Sequence, residues 1–386
     1  MKYWCGYLVA AIFGAFSWVL LQFGEKYQML VDMVYPYVTK TLQGMLTQWS
    51  SGVDFLVWQT IVVIFLILVI STLILYLILK GNLIQWFGWV LSVVSVVFFL
   101  NTAVYGLNDF AGPITEDLRI EQTDYTLSDL KDATIHYRDK AGQVAVQMSR
   151  DEQGTAVFSD FDTLAQRTGN GFRNLMLDMS FSIYGGDHTP VKKLTGMKGV
   201  DGITVPLTGE SAVNPDIAPI ALPFTMAREM THRMSISRED EANFSAFLAC
   251  MANDDPEYQY SGYFMAYLYT YNTLASIDPA AAEEIHKGSV KELTWDFNQY
   301  NQYVKSVKNE KAVRLMDQAN GAYRKVSGTD PDKRSDSTVS DLLVCWYLDQ
   351  FVIEEVPEVE FDPYDETQVD LTGIVNAKPT EAEGAA

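Results

Sequence analysis

Arg228, Glu229 and His232 lie within Pro223-Phe224-Thr225-Met226-Ala227-Arg228-Glu229-Met230-Thr231-His232, and Arg238-Glu239-Asp240-Glu241-Ala242-Asn243-Phe244 follows closely. On a helix, positions 228 and 232 are four apart and stack on one face, with Glu229 beside them. Two imidazoles at that spacing would bind zinc, and a glutamate after the first would activate the metal-bound water. Here the first ligand position holds an arginine. A guanidinium has no lone pair to donate and stays protonated, so Arg228 brings positive charge to the place a divalent cation would take. His232 alone falls short of the three protein ligands of a catalytic zinc.

The alternative chemistry is a salt bridge. The planar fork of Arg228 is suited to bridging Glu229 and Glu239, or Glu241, and to neutralising carboxylates that would otherwise repel in a closed cleft. The remaining histidines, His136, His188 and His286, stand outside any ligand spacing. Only His188, in the loop ahead of a candidate edge strand, is placed to be a replacement ligand. Glu239-Asp240-Glu241 also suits a helix start, where negative charge complements the macrodipole.

The elements that must carry this stretch divide the chain of 386 residues into unlike parts. Residues 1–107 are nearly all apolar, and the rest is acidic and mixed, which is how a mean hydropathy near zero arises. Spans are expected at about 3–23, 55–79 and 83–105. Between the first two, residues 25–54 read as a mixed linker with interfacial helix in parts, and Lys80-Gly81-Asn82 reads as a tight turn. No ionisable side chain falls inside the second and third spans, which disfavours an ion pathway. Lys2 and Lys80 share one side, and their density favours it as cytoplasmic, leaving the large domain outside the cytoplasm.

Residues 108–351 form the soluble domain and 352–386 an acidic tail expected to be disordered. The domain opens with a helix signature at Thr126 and Asp129, running to about Met148, and a second helix from residue 159 or 160 to about Met179. Short strands are expected at 202–207 and 211–214 around a turn at Gly209, with Pro206 marking an edge. Helices follow at about 223–234, 238–252, 256–276, 279–287, 289–325 and 338–351. The aromatic run from Tyr263 to Tyr269 is expected to be core. The net charge of −21 argues against a nucleic-acid partner. Three cysteines make no disulfide framework; Cys250 and Cys345 read as small buried hydrophobes, with a bridge between them requiring an oxidising compartment.

The composite stretch resembles an uncharacterised bacterial family of three-span membrane proteins with an external gluzincin-like domain. The resemblance is carried by Pro223-Phe224-Thr225, Glu229, His232, Glu239 and Glu241-Ala242-Asn243-Phe244. It extends upstream to Leu207-Thr208-Gly209-Glu210 with Val213-Asn214, and downstream to Tyr260-Ser261-Gly262-Tyr263. It implies a mainly helical zincin-like domain with a short edge sheet, in which Val205 and Leu207 would pair with an extended peptide. By the same resemblance Glu229 stands at the general-base position, His232 and Glu239 at metal positions with Glu241 as rival, and Arg228 at a lost ligand. Ser235 stands where the pattern has glycine, and Ile236 where it has an aromatic residue.

The leading expectation is therefore a membrane-anchored metallopeptidase-like protein that has lost its zinc and binds a peptide or a membrane protein without cleaving it. The alternatives are a working zinc peptidase with a compensating ligand such as His188, and a membrane scaffold or sensor.

Overall fold

The computed structural model describes residues 4–121, 124–197, 199–307 and 338–351. The architecture is mainly helical with one small sheet, as expected. Three helices are long and apolar enough to cross a bilayer: α1 (Cys5–Lys26), α3 (Val57–Ile78) and α4 (Leu83–Val104). α1 and α4 pack closely because glycines face each other; a Cβ on Gly6 would lie 2.4 Å from the carbonyl carbon of Gly88. None of the residues of α3 is buried. The turn between α3 and α4 uses Lys80 in the left-handed region (φ 52°), and Asn82 caps α4 by accepting from the amides of Ile84 and Gln85.

The expected linker at 25–54 is a correction. It is one continuous helix, α2 (Gln28–Ser50), with Pro36 inside it. Its amphipathicity is inverted. Thr39, Gln43, Thr47 and Ser50 share the buried face, while Met29, Met33, Tyr37 and Trp49 are exposed. The buried polar stripe bonds to the soluble domain: Gln43 Nε2 donates to the Pro206 carbonyl (3.0 Å) and Thr47 Oγ1 to that of Gly209 (2.7 Å). Polar contacts inside and apolar side chains outside reverse the pattern of a helix packed on a globular core.

The chain after α4 forms α5 (Ile114–Leu118), α6 (Leu127–Ala145), α7 (Phe161–Asp178), β1 (Lys192–Lys193), β2 (Gly202–Val205) and β3 (Glu210–Val213). Next come α8 (Leu222–His232), α9 (Glu239–Met251), α10 (Pro256–Ile277), α11 (Pro279–Lys287), α12 (Lys291–Val307) and α13 (Val339–Phe351). Thr126 and Asp129 make the expected capping box of α6, which ends at Ala145 rather than near Met148. α10 runs through the core, with Tyr258, Tyr260, Phe264 and Tyr267 fully buried, so the aromatic run is core as expected. Cys250 and Cys345 are buried and free. The part of the expected 289–325 helix beyond residue 307, and the tail, lie outside the described residues.

The sheet has the order β1-β3-β2, with β1 parallel and β2 antiparallel to β3. Val205 pairs with Glu210 around the turn, where Gly209 has φ 64°. A Cβ on Gly209 would lie 2.6 Å from the Thr47 amide nitrogen, so this turn tolerates only glycine against α2. β1 was not expected, since two residues of Lys-Lys carry no strand pattern.

Candidate functional site

α8 is buried on almost every side, and Pro223 sits in its first turn. At its far end the chain turns through Ser235, whose φ of 72° lies in the left-handed region that favours glycine. A serine there is strained. Its hydroxyl is taken up by α2: Ser235 Oγ donates to the Pro36 carbonyl (3.0 Å) and lies 2.7 Å from Thr39 Oγ1.

Arg228, Glu229, His232 and Glu239 meet at this helix. The Glu229 carboxylate is 3% exposed, and its Oε1 accepts from Arg228 Nη2 at 2.8 Å. Thr204 Oγ1 of β2 donates to Oε2 (2.9 Å), and Ser211 Oγ of β3 donates to the Glu229 carbonyl (2.8 Å). Gly202 lies against the same carboxylate; a Cβ there would be 2.5 Å from Oε1. The Arg228 side chain is 23% exposed. Burial works against its charge, but Glu229 and Glu239 outweigh this and hold the guanidinium above its ordinary range. Burial raises Asp201, an effect Arg228 partly offsets and Glu229 adds to.

His232 Nδ1 lies 2.9 Å from the Ile236 carbonyl, which can only accept, so Nδ1 carries the proton. The other ring nitrogen, Nε2, lies 3.7 Å from Glu239 Oε1. A backbone carbonyl that holds Nδ1 and turns Nε2 toward Glu239 is the kind of support a metal-ligating imidazole has. Tyr105, just after α4, donates to the His232 carbonyl (2.8 Å) and ties this helix end to a span.

Glu241 is elsewhere: it pairs with Arg238 (2.5 Å) and accepts from the Ile114 amide (3.0 Å). His188 is 3.0 Å from the Tyr184 carbonyl and stacks on Phe172, so it is not brought to His232. His136 and His286 sit among aromatic rings. Val205 ends β2, whereas Leu207 lies in the turn beyond it, which corrects its expected place in the strand. Among the described residues no three His, Cys, Asp or Glu side chains converge as a metal-binding group. With the guanidinium of Arg228 on the Glu229 carboxylate, the donors gathered here do not fit a catalytic zinc.

Sequence reasoning missed the junction that fixes this site to the membrane part. Glu210, fully buried, accepts from the amides of Val57 and Trp58 (2.9 Å each), the free donors at the start of α3. Lys192 donates to Glu210 Oε1 (2.8 Å) and to the carbonyls of Ser50 and Phe55, at the end of α2 and in the loop after it. Each charge thus sits at the helix end of opposite polarity. The available signal was a charged residue opening a strand of otherwise small, uncharged residues.

Fold and site define a membrane protein with three apolar helices, whose helical domain is bonded to the ends of two of them and carries a salt-bridged carboxylate and a histidine held by a backbone carbonyl on one helix. The chain belongs to the DUF3810 family of proteins of unknown function, whose model matches residues 31–344. Neither the curated proteins nor the solved structures contain a match.

Proposed function

We propose that this is a membrane-anchored, extracytoplasmic pseudopeptidase: a gluzincin-like cleft that binds an extended peptide or protein segment and no longer hydrolyses it. The reading is carried by Arg228 Nη2 on Glu229 Oε1 at 2.8 Å, beside a histidine whose Nδ1 is committed to a backbone carbonyl. The guanidinium supplies the positive charge that a metal would have supplied, so the carboxylates stay compatible while the water-activating Lewis acid is lost. Among the described residues β2 has β3 as its one strand neighbour, and an extended peptide would add along its other side.

The test is elemental analysis of the full-length protein and of Arg228→His, which supplies a second imidazole beside His232 and removes the competing charge. The wild type is expected to purify without zinc, and Arg228→His to carry about one equivalent. Stoichiometric zinc in the wild type would establish the working-peptidase reading instead. A variant that stays metal-free would remove the basis for treating Arg228 as a replaced ligand. A scaffold or sensor role is the second reading, favoured by Tyr105 and Glu210, which join the site to the ends of two spans. That role predicts function insensitive to cleft substitutions and sensitive to changes at these span ends.

A further inference from the structure

A cavity of about 240 Å³ lies between α2 and the soluble domain, away from Arg228. It is smaller than a drug-sized pocket and suited to a headgroup-sized ligand. Two neutral donors on its wall lack hydrogen-bond partners among the described residues: Asn108 Nδ2, on a side chain whose residue is 3% exposed, and the Ser237 hydroxyl. A buried unpaired amide is costly and is satisfied when an acceptor enters.

The charges on the wall are only partly matched. Arg238 and Glu241 pair with each other, and Asp32 accepts from the Gly112 amide. Lys40 gives one proton to the Ile183 carbonyl (2.6 Å). Asp117 has no ion-pair or hydrogen-bond partner among the described residues, although Lys40 is near enough to affect it. Burial lowers Lys40 to about 8; Asp117 is exposed, and partial burial with Asp32 nearby raises it, as for two carboxylates that share too little positive charge. Two further lining residues, Met33 and Tyr37, belong to the exposed apolar stripe of α2 and are each 63% exposed. The cavity therefore borders the lipid-facing side of that helix.

We propose that this cavity binds the headgroup of a phospholipid carrying a primary ammonium. The phosphate is received by Lys40, Asn108 and Ser237, the ammonium by Asp117 and Asp32, and the acyl chains leave over Met33 and Tyr37. Cationic and anionic wall groups in one small cavity match a zwitterion better than an anionic lipid, and three free N–H donors match two carboxylates better than a quaternary amine. The apolar border favours a lipid over the free headgroup.

The test is native mass spectrometry of the full-length protein in detergent, titrated with phosphatidylethanolamine, phosphatidylcholine and phosphatidylglycerol of equal chain length. The ethanolamine lipid is expected to bind about tenfold tighter than the other two, the effect of one charge-assisted hydrogen bond. Asp117→Asn, which keeps the side chain's size and removes its charge, should abolish its advantage over phosphatidylglycerol, and Lys40→Gln should weaken all three. Equal binding of the three lipids, or an unchanged preference in Asp117→Asn, overturns the proposal. Water-soluble phosphoethanolamine should compete poorly; displacement at concentrations comparable to the lipid would overturn the lipid assignment.

Discussion

The Arg228–Glu229 pair yields the most direct physical test. Arg228→Met keeps the length and apolar stem of the side chain but strands Glu229, whose carboxylate is 3% exposed and would retain the Thr204 hydroxyl as its side-chain donor. Removing one partner of a buried pair costs about 3–5 kcal/mol, and the 23% exposure of Arg228 places the expectation at the lower end, about 3 kcal/mol. In a domain of this size that is roughly 6–12 °C in melting temperature. The assay is thermal unfolding of the full-length protein in detergent, followed by tryptophan fluorescence. Arg228→Met combined with Glu229→Gln removes both charges, so it should recover more than half of the loss. A shift below about 2 °C for Arg228→Met, or no recovery in the double variant, would refute the claim that the guanidinium neutralises this carboxylate.

Two further outcomes follow from other parts of the molecule. Glu210→Gln removes the charge shared by Lys192 and the first amides of α3, and should cost about 2–3 kcal/mol and open the segment at 51–56 to protease, read by melting and limited proteolysis. His136 is pushed down to about 4 by burial, with Lys140 adding to the effect. Its folded value lies below the unfolded value of 6.5, so the unfolded chain binds more protons between them and stability rises as pH goes from 4 to 6.5. His136→Phe should flatten that rise in denaturant titrations across this window.

Much of the helical layout is visible in residue order because its causes are local. Thr126 with Asp129, Asp278 before Pro279, and the apolar runs of α3 and α4 each specify an element from a few neighbouring residues. The sheet is half visible. The Gly209 hairpin follows from turn chemistry, but the strands end at Val205 and begin at Glu210, one to two residues from expectation, and β1 exists through its pairing with β3. The α2 helix was misread because Thr39, Gln43 and Thr47 look like linker residues until the carbonyls they bond are known.

The same division holds at the site. Sequence order alone determined that Arg228 and His232 share a helix face and that a guanidinium cannot ligate a metal, because both depend on helix geometry and side-chain chemistry. Only the tertiary structure decided that Glu229 is the partner of Arg228, that Glu239 and not Glu241 faces His232, and that His188 is committed to Tyr184. Those choices depend on which of several carboxylates and carbonyls, distant along the chain, long-range packing brings within a few ångströms.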